Sequence, residues 1–222
     1  MHKIKSGLRT SLTPFADMDT SLKHPFTCIV AGPTGCGKTT FVTRLLRFAS
    51  SIIDLPPERI VWCYGQWQKT YASMAESMPE VEFVDGLPDP NTFRPETRTL
   101  VVLDDLMAET DSRVTILFTK KSHHCNTSVV YLLQNLFPKG KENRTISLVL
   151  FKSPRDAGQV GQLAKQMYPG RVKYMQDAFK DATSTPYGYL LIDLKQETPD
   201  DARLRTKVFT DYIIQYVYVP RV

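Results

Sequence analysis

Short, almost unbroken apolar runs recur along the chain, separated by stretches with helical spacing. Residues 26–31 (FTCIVA), 59–64 (RIVWCY), 99–103 (TLVVL), 128–133 (SVVYLL), 148–151 and 189–194 (YLLIDL) have the length of strands, and 82–84 is a shorter candidate. Phe41, Val42, Leu45 and Leu46 fall on one stripe of a helix predicted over 38–48. Further helices are predicted over 68–78, 113–118, 157–167 and 173–179. Strands that do not alternate apolar with polar residues are buried on both faces. Interleaved with helices, they predict an α/β fold around a central, mostly parallel sheet. Pro56-Pro57 breaks the chain before the second strand, Pro88, Pro90 and Pro95 mark a loop, and 138–144 is a basic, glycine-containing loop. No internal repeat or low-complexity tract interrupts the pattern. It predicts one domain over 25–196, a polar, proline-punctuated arm over 1–24 and a C-terminal extension over 197–222.

At 222 residues, with 42% apolar and 23% charged content, the chain suits one well-buried domain. No apolar run approaches the roughly 18–20 residues of a membrane-spanning helix, so no membrane partner is expected. The first 22 residues hold no apolar core of secretory length. The four cysteines, Cys28, Cys36, Cys63 and Cys125, have no metal-like spacing and are expected to be reduced thiols, an intracellular pattern. The consecutive His123, His124 and Cys125 cannot converge on one zinc ion without help from elsewhere. The net charge of +5 is unevenly spread: residues 120–155 carry seven Lys or Arg and one acid, a net of +6. Concentrated positive charge suits a phosphate backbone, or simply a solvated basic surface.

Three stretches carry chemistry. Gly32-Pro33-Thr34-Gly35-Cys36-Gly37-Lys38-Thr39 fits G-x-x-x-x-G-K-[ST] at every fixed position, with a strand before it and an amphipathic helix after it. The glycines let successive N–H groups turn toward phosphate oxygens, and the helix that follows through Thr40 adds the positive end of its dipole. Lys38 is expected to neutralise the terminal phosphates of ATP, and the Thr39 hydroxyl to join the shell of a Mg²⁺ ion. The second stretch is a strand ending in Asp104-Asp105. Lying beside the glycine-loop strand, it would place Asp104 to hold the magnesium and Asp105 to act as general base on the attacking water, with Glu109 a second candidate base. An Asp-Asp helix cap is the plainer alternative. The third is a core strand that terminates in Gln134-Asn135, at the sheet edge where ligands bind in open α/β folds. There Gln134 is expected to sense the terminal phosphate or orient the water.

The order GPTGCGKTT, LVVLDD, SVVYLLQN resembles the FtsK–HerA division of P-loop ATPases. More closely, it resembles the genome-packaging ATPases of double-jelly-roll DNA viruses and Polinton/Maverick (adintovirus-like) elements. The phrases IVWCYGQWQ, SHHCNTSVVYLLQNLF and LFKSPRDAGQ carry that closer likeness, which covers residues 26–194. It implies a P-loop NTPase three-layer sandwich of the ASCE type. It further implies a homo-oligomeric ring that hydrolyses ATP to drive double-stranded DNA into a capsid, with a capsid or portal protein as partner, inside an infected cell or associated with the virion. Carried over, Lys38 and Thr39 bind phosphate and magnesium, Asp104 and Asp105 form the acidic pair, and Gln134 is the sensor. Two departures stand out. The superfamily's arginine before the sensor strand is absent from Lys120-Lys121-Ser122-His123-His124, leaving Arg144, Arg155 or a lysine in its place as the finger acting on a neighbouring subunit. The passage from Arg144 to Val149 is also shorter than the family's.

Trp62, Tyr64 and Trp67 are candidates to stack on the adenine base or to fill the core. The His123-His124 pair reads as a structural or interface feature, and 203–207 as a solvated surface. Two rivals to the motor reading remain. A nucleotide phosphotransferase wants an arginine-rich acceptor pocket, yet residues 65–100 hold only Arg94 and Arg98. A decayed or domesticated nucleotide-binding scaffold is supported by the shortened passage.

Overall fold

The computed structural model describes residues 19–106, 114, 125–136, 147–154, 157–209, 211 and 215–220. Among them, nine strands form one sheet in the order β3-β2-β4-β5-β1-β6-β7-β8-β9. The strands are β1 (Thr27–Ala31), β2 (Arg59–Tyr64), β3 (Val81–Asp85), β4 (Thr99–Asp104), β5 (Thr127–Leu133), β6 (Ser147–Phe151), β7 (Tyr189–Asp193), β8 (Leu204–Thr206) and β9 (Tyr216–Tyr218). Pairing is parallel from β3 through β6 and antiparallel from β6 through β9. The fold is therefore α/β with a mostly parallel central sheet, and all seven predicted strands belong to it. The residues after 196 add β8 and β9 to that same sheet. In the arm, Leu22 is buried and its N–H donates to the Ile52 carbonyl at 2.7 Å.

Among the described residues, five complete α-helices accompany the sheet: α1 (Lys38–Arg47), α2 (Ala49–Ile52), α3 (Lys69–Ser77), α4 (Ala157–Met167) and α5 (Val172–Ala182). The predicted helix over 113–118, residue 114 apart, and the basic loop over 138–144 lie outside the described residues. Each central strand splits its side chains between two cores. Ile29, Val101, Leu103, Val129 and Tyr131 join Leu163, Ala164 and Met175 of α4 and α5 on one face. Val30, Leu100, Val102, Val130 and Leu132 join Phe41, Val42, Leu45 and Tyr71 of α1 and α3 on the other. Burial on both faces is the physical reason that the strand sequences lack polar alternation. After the short passage that follows Arg144, β6 pairs in regular register with β1 (Cys28 opposite Ser147) and with β7 (Phe151 opposite Tyr189).

Two polar clusters pin the sheet's margins. The Ser128 hydroxyl and His24 Nδ1 lie 2.7 Å apart, and His24 Nε2 is 2.9 Å from Asn126 Oδ1, which ties the entry to β1 to the start of β5. Burial holds the His24 pKa below its usual value, so the ring is neutral. At the other margin Asp193 on β7 accepts from Arg205 Nη2 on β8 at 2.5 Å, with Lys195 Nζ 3.6 Å away. Arg205 also donates to the Thr20 carbonyl at 2.8 Å. The Asp193 and Arg205 side chains are only 3% and 6% exposed, so removing one partner leaves the other charged and dry. Asp193→Ala is expected to cost about 3–5 kcal/mol in urea unfolding, and Asp193→Leu combined with Arg205→Met to recover most of it. An Asp193→Ala protein within about 1 kcal/mol of the parent would mean that the pair does not hold β8 in place.

Candidate functional site

The glycine loop takes its shape from three different constraints. Gly32 follows β1, and its N–H donates to the Leu133 carbonyl of β5 at 3.1 Å. A Cβ there would lie 2.7 Å from both Cys36 Sγ and Phe151 Cβ, so only glycine fits the crossing. Gly35 and Gly37 adopt φ of 78° and 106°, left-handed values that side chains disfavour. Gly37 is also the N-cap of α1. No side chain caps that helix and no acid stands in its first turn, so the N–H groups of the turn keep their donor capacity and the positive end of the dipole is unopposed there. Behind the loop Cys36 N–H donates to the Pro33 carbonyl at 3.2 Å. Lys38 Nζ donates to the carbonyls of Gly32 (2.6 Å) and Pro33 (3.1 Å), which folds the cation over its own loop.

An aromatic cluster holds α1 in this position. Phe41 meets Tyr189 edge-on with ring centroids 4.8 Å apart and lies 5.1 Å from Phe209, while the Arg44 guanidinium sits 4.4 Å over the Phe209 ring. Each such aromatic pair contributes about 0.5–1.5 kcal/mol beyond its buried area.

Asp104 ends β4 and is 4% exposed. A single oxygen, Oδ2, accepts hydrogen bonds from the Thr39 hydroxyl at 3.2 Å and from the Tyr71 phenol at 2.9 Å. Burial raises its pKa above the usual carboxylate range; the two hydroxyls and Lys38 act in the opposite direction, and Asp105 adds to the rise. Tyr71 is fully buried. Burial, followed by the adjacent Asp104 charge, pushes its pKa well upward, so it stays a phenol that donates. Contrary to the expectation that the acidic strand lies directly beside the glycine-loop strand, β5 lies between β1 and β4. The Thr39–Asp104 contact spans this gap, and the tip of β5 carries Gln134 into it.

Thr34, Gly35, Gly37, Lys38, Thr39, Thr40, Asp104, Asp105 and Gln134 thus line one cleft of about 490 Å³. Asp105 and Gln134 are exposed at its mouth. Asp105 has φ of 51°, a left-handed conformation that Asp tolerates better than most residues. Its carbonyl lies 2.5 Å from where a Gly65 Cβ would stand, so the turn after β4 needs glycine on β2's side as well. Arg144, Arg155, Glu109, His123 and His124 fall outside the described residues.

Trp62 is fully buried core, whereas Trp67 is 49% exposed and packs edge-on against Tyr64 (5.2 Å) and Phe83 (5.5 Å). Burial pushes the Cys28 and Cys63 thiols up to about 12 and raises that of Cys36, so all three are protonated at neutral pH. Sequence reasoning missed Tyr71, because one tyrosine on the apolar stripe of α3 looks like any core residue. It also missed Tyr187, whose setting in Thr185-Pro186-Tyr187-Gly188 reads only as a turn. No protein-family model matches the chain, and no curated protein matches it significantly.

The raised pKa of Asp104 has a consequence for stability. The folded chain holds that proton more tightly than the unfolded chain, so stability attributable to Asp104 is full below the ordinary carboxylate pKa and falls as pH rises through the folded value. Above that window the ionised group is a burden. Asp104→Asn keeps an acceptor for Thr39 and Tyr71 and loses the charge. It is expected to raise Tm by a few degrees at neutral pH without magnesium; a lower Tm would show that the carboxylate stabilises the fold.

Proposed function

We propose that the chain binds a nucleoside triphosphate with magnesium and hydrolyses it, as a P-loop NTPase of the ASCE type. One observation carries this reading: the Thr39 hydroxyl, at the open N-terminus of α1, meets the buried Asp104 carboxylate at 3.2 Å across an intervening strand. The strand order and the helices on both faces of the sheet support the corresponding three-layer sandwich. Thr39 and Asp104 supply hard oxygen donors, few in number, which suits Mg²⁺ because that ion keeps its other positions for phosphate oxygens and water. When bound, the ion supplies charge neutralisation between the terminal phosphates.

The chain's own groups do the rest. Loop N–H groups and the helix N-terminus hold phosphate oxygens in place. Lys38 exchanges the carbonyls of Gly32 and Pro33 for phosphate and so opposes negative charge that grows in the transition state. Gln134 orients the attacking water from the tip of β5, and the exposed Asp105 carboxylate accepts its proton. Tyr71 holds the Asp104 carboxylate from behind, fixing which lone pairs face the cleft.

The resemblance extends the proposal to the substrate: a homo-oligomeric ring that uses ATP to translocate double-stranded DNA into a capsid, with Arg144 or Arg155 completing the neighbouring subunit's site. The +6 charge over residues 120–155 supports a polyanionic partner.

Lys38→Ala is expected to cut hydrolysis by roughly 10²–10³-fold with Tm preserved, and turnover equal to the parent's would overturn the nucleotide site. Asp105→Asn is expected to bind ATP and magnesium with nearly all hydrolysis lost, since Asn accommodates a left-handed φ at least as well as Asp. Normal hydrolysis in that variant, with loss in Glu109→Gln, would move the base to Glu109. For the motor, affinity for duplex DNA is expected to fall with salt by a slope of about −0.9 per neutralised phosphate, and Lys139→Ala with Lys141→Ala to flatten it by about one unit per lost contact. Specific activity that is independent of protein concentration and of DNA would leave a nucleotide-binding domain without a motor.

A further inference from the structure

Tyr187 is in an uncomfortable place. It is 72% exposed, and its φ is 60°, a conformation that costs a bulky residue on the order of 1–3 kcal/mol. An exposed ring recovers none of that cost by burial. The turn does not relax because Gly188 behind it is wedged: a Cβ there would stand 2.4 Å from the Ala182 carbonyl oxygen, and its N–H donates to the Thr185 carbonyl at 3.0 Å. The ring is thereby held against the glycine loop, with Tyr187 Cδ1 3.2 Å from the position of a Gly37 Cβ. Strain of this kind persists where the surrounding structure over-determines it, and it concentrates at ligand sites. Among the described residues four non-glycines have positive φ. Three of them, Asp105, Tyr187 and Lys207, edge the main cleft or the hollow next to it.

That hollow, of about 360 Å³, opens between α1, β7 and β8 and falls in the size range of small-molecule sites. Its floor is apolar, built on Phe41 and Phe209, and its rim carries Arg44, held by Asp211 at 2.5 and 2.7 Å, and Lys207. Thr40 and Tyr187 line both the hollow and the main cleft, and Arg44 follows Thr40 by one helical turn. Asp104, Asp105 and Gln134 mark the end of the cleft where the terminal phosphate sits in the functional reading above. A triphosphate laid from those groups along the loop reaches Thr40 and continues into the hollow.

We propose that Tyr187 is the platform on which the nucleoside base stacks, and that the hollow between Tyr187, Arg44 and Phe209 receives the nucleoside. This rests on the nucleotide reading and adds to it the part of the ligand that the glycine loop does not touch. A flat apolar floor and one aromatic face recognise a ring by stacking, so purines are favoured over pyrimidines through their larger surface.

Calorimetric titration with Mg·ATP and with Mg·tripolyphosphate separates the base from the phosphates. In the parent, ATP is expected to bind more tightly than tripolyphosphate. Tyr187→Ala is expected to weaken ATP by about 5- to 150-fold, the range of one lost aromatic stack, with tripolyphosphate unchanged, and Tyr187→Phe to restore ATP affinity. Tyr187→Gly removes both ring and strain: it is expected to match the alanine variant for ATP while its Tm equals or exceeds the parent's. That variant keeps the test decisive if alanine disturbs the turn. If the parent binds both ligands while the alanine and glycine variants bind ATP as the parent does, the platform is overturned and the nucleotide site stands. Loss of DNA-stimulated turnover or of assembly at unchanged ATP affinity would overturn it too, assigning Tyr187 to a subunit contact. If the parent binds neither ligand, the nucleotide reading falls and this inference with it.

Discussion

Parallel strands whose inner members, β1, β4, β5 and β6, are buried on both faces leave the chain little freedom in where it can put polar groups. Along β1, β4 and β5 every side chain from Thr27 to Ala31, Thr99 to Asp104 and Thr127 to Leu133 is buried, and a helix layer seals each face. Uncompensated polar atoms are costly inside such a sheet, so functional groups collect where the strands stop. Gly32, Asp104 and Gln134 stand at three strand ends of the same polarity because parallel pairing puts those ends side by side. The cleft follows from this one constraint; the loop, the acids and the amide are near neighbours there although about a hundred residues separate them in the chain.

Asp104 shows how the fold tolerates a charge at that edge. It is nearly as buried as the valines beside it, and its pKa is raised accordingly. Two hydroxyls on one oxygen compensate part of the cost, and each comes from a different helix: Thr39 from α1 and Tyr71 from α3. In the proposed reading such a restrained carboxylate is preorganised for a cation, the kind of site where stability is exchanged for chemistry. The Asp193–Arg205 pair at the other margin is a contrast. Its charges face one another, line no cleft of the candidate site, and join β8 to β7, with Arg205 also reaching the Thr20 carbonyl.

Backbone conformation follows the same division. Gly35 and Gly37 occupy left-handed φ at no side-chain cost, whereas Asp105, Tyr187 and Lys207 occupy it against their preference. The glycines stand where the chain must bend, and the three strained residues stand beside the cleft or the hollow next to it. In Tyr187 both pressures act together, since Gly188 and the end of α5 hold the turn while the ring stands in water at the rim of two hollows.

Much of this was legible in the chain alone, for local reasons. The central strands announced themselves because a strand buried on both faces must be apolar without alternation, and α1 because Phe41, Val42, Leu45 and Leu46 recur at helical spacing. The glycine loop could be read because its glycines, Lys38 and Thr39 are adjacent in sequence, so their geometry is set by neighbours only a few residues away. The order of the strands was not legible: nothing in LVVLDD says that β5 lies between it and β1, because lateral pairing depends on which apolar faces pack best once helices cover the sheet. The residues after 196 gave no sign of being strands, since β8 and β9 are three residues each and gain their stability from the edge of β7. Tyr71 and Tyr187 were beyond reach for the same reason. One becomes a carboxylate's donor only when α3 docks under β4, and the other becomes an exposed aromatic rim only when Gly188 locks against Ala182. Contacts within a few residues follow from composition and spacing; contacts across the sheet follow from packing, which the tertiary structure alone decides.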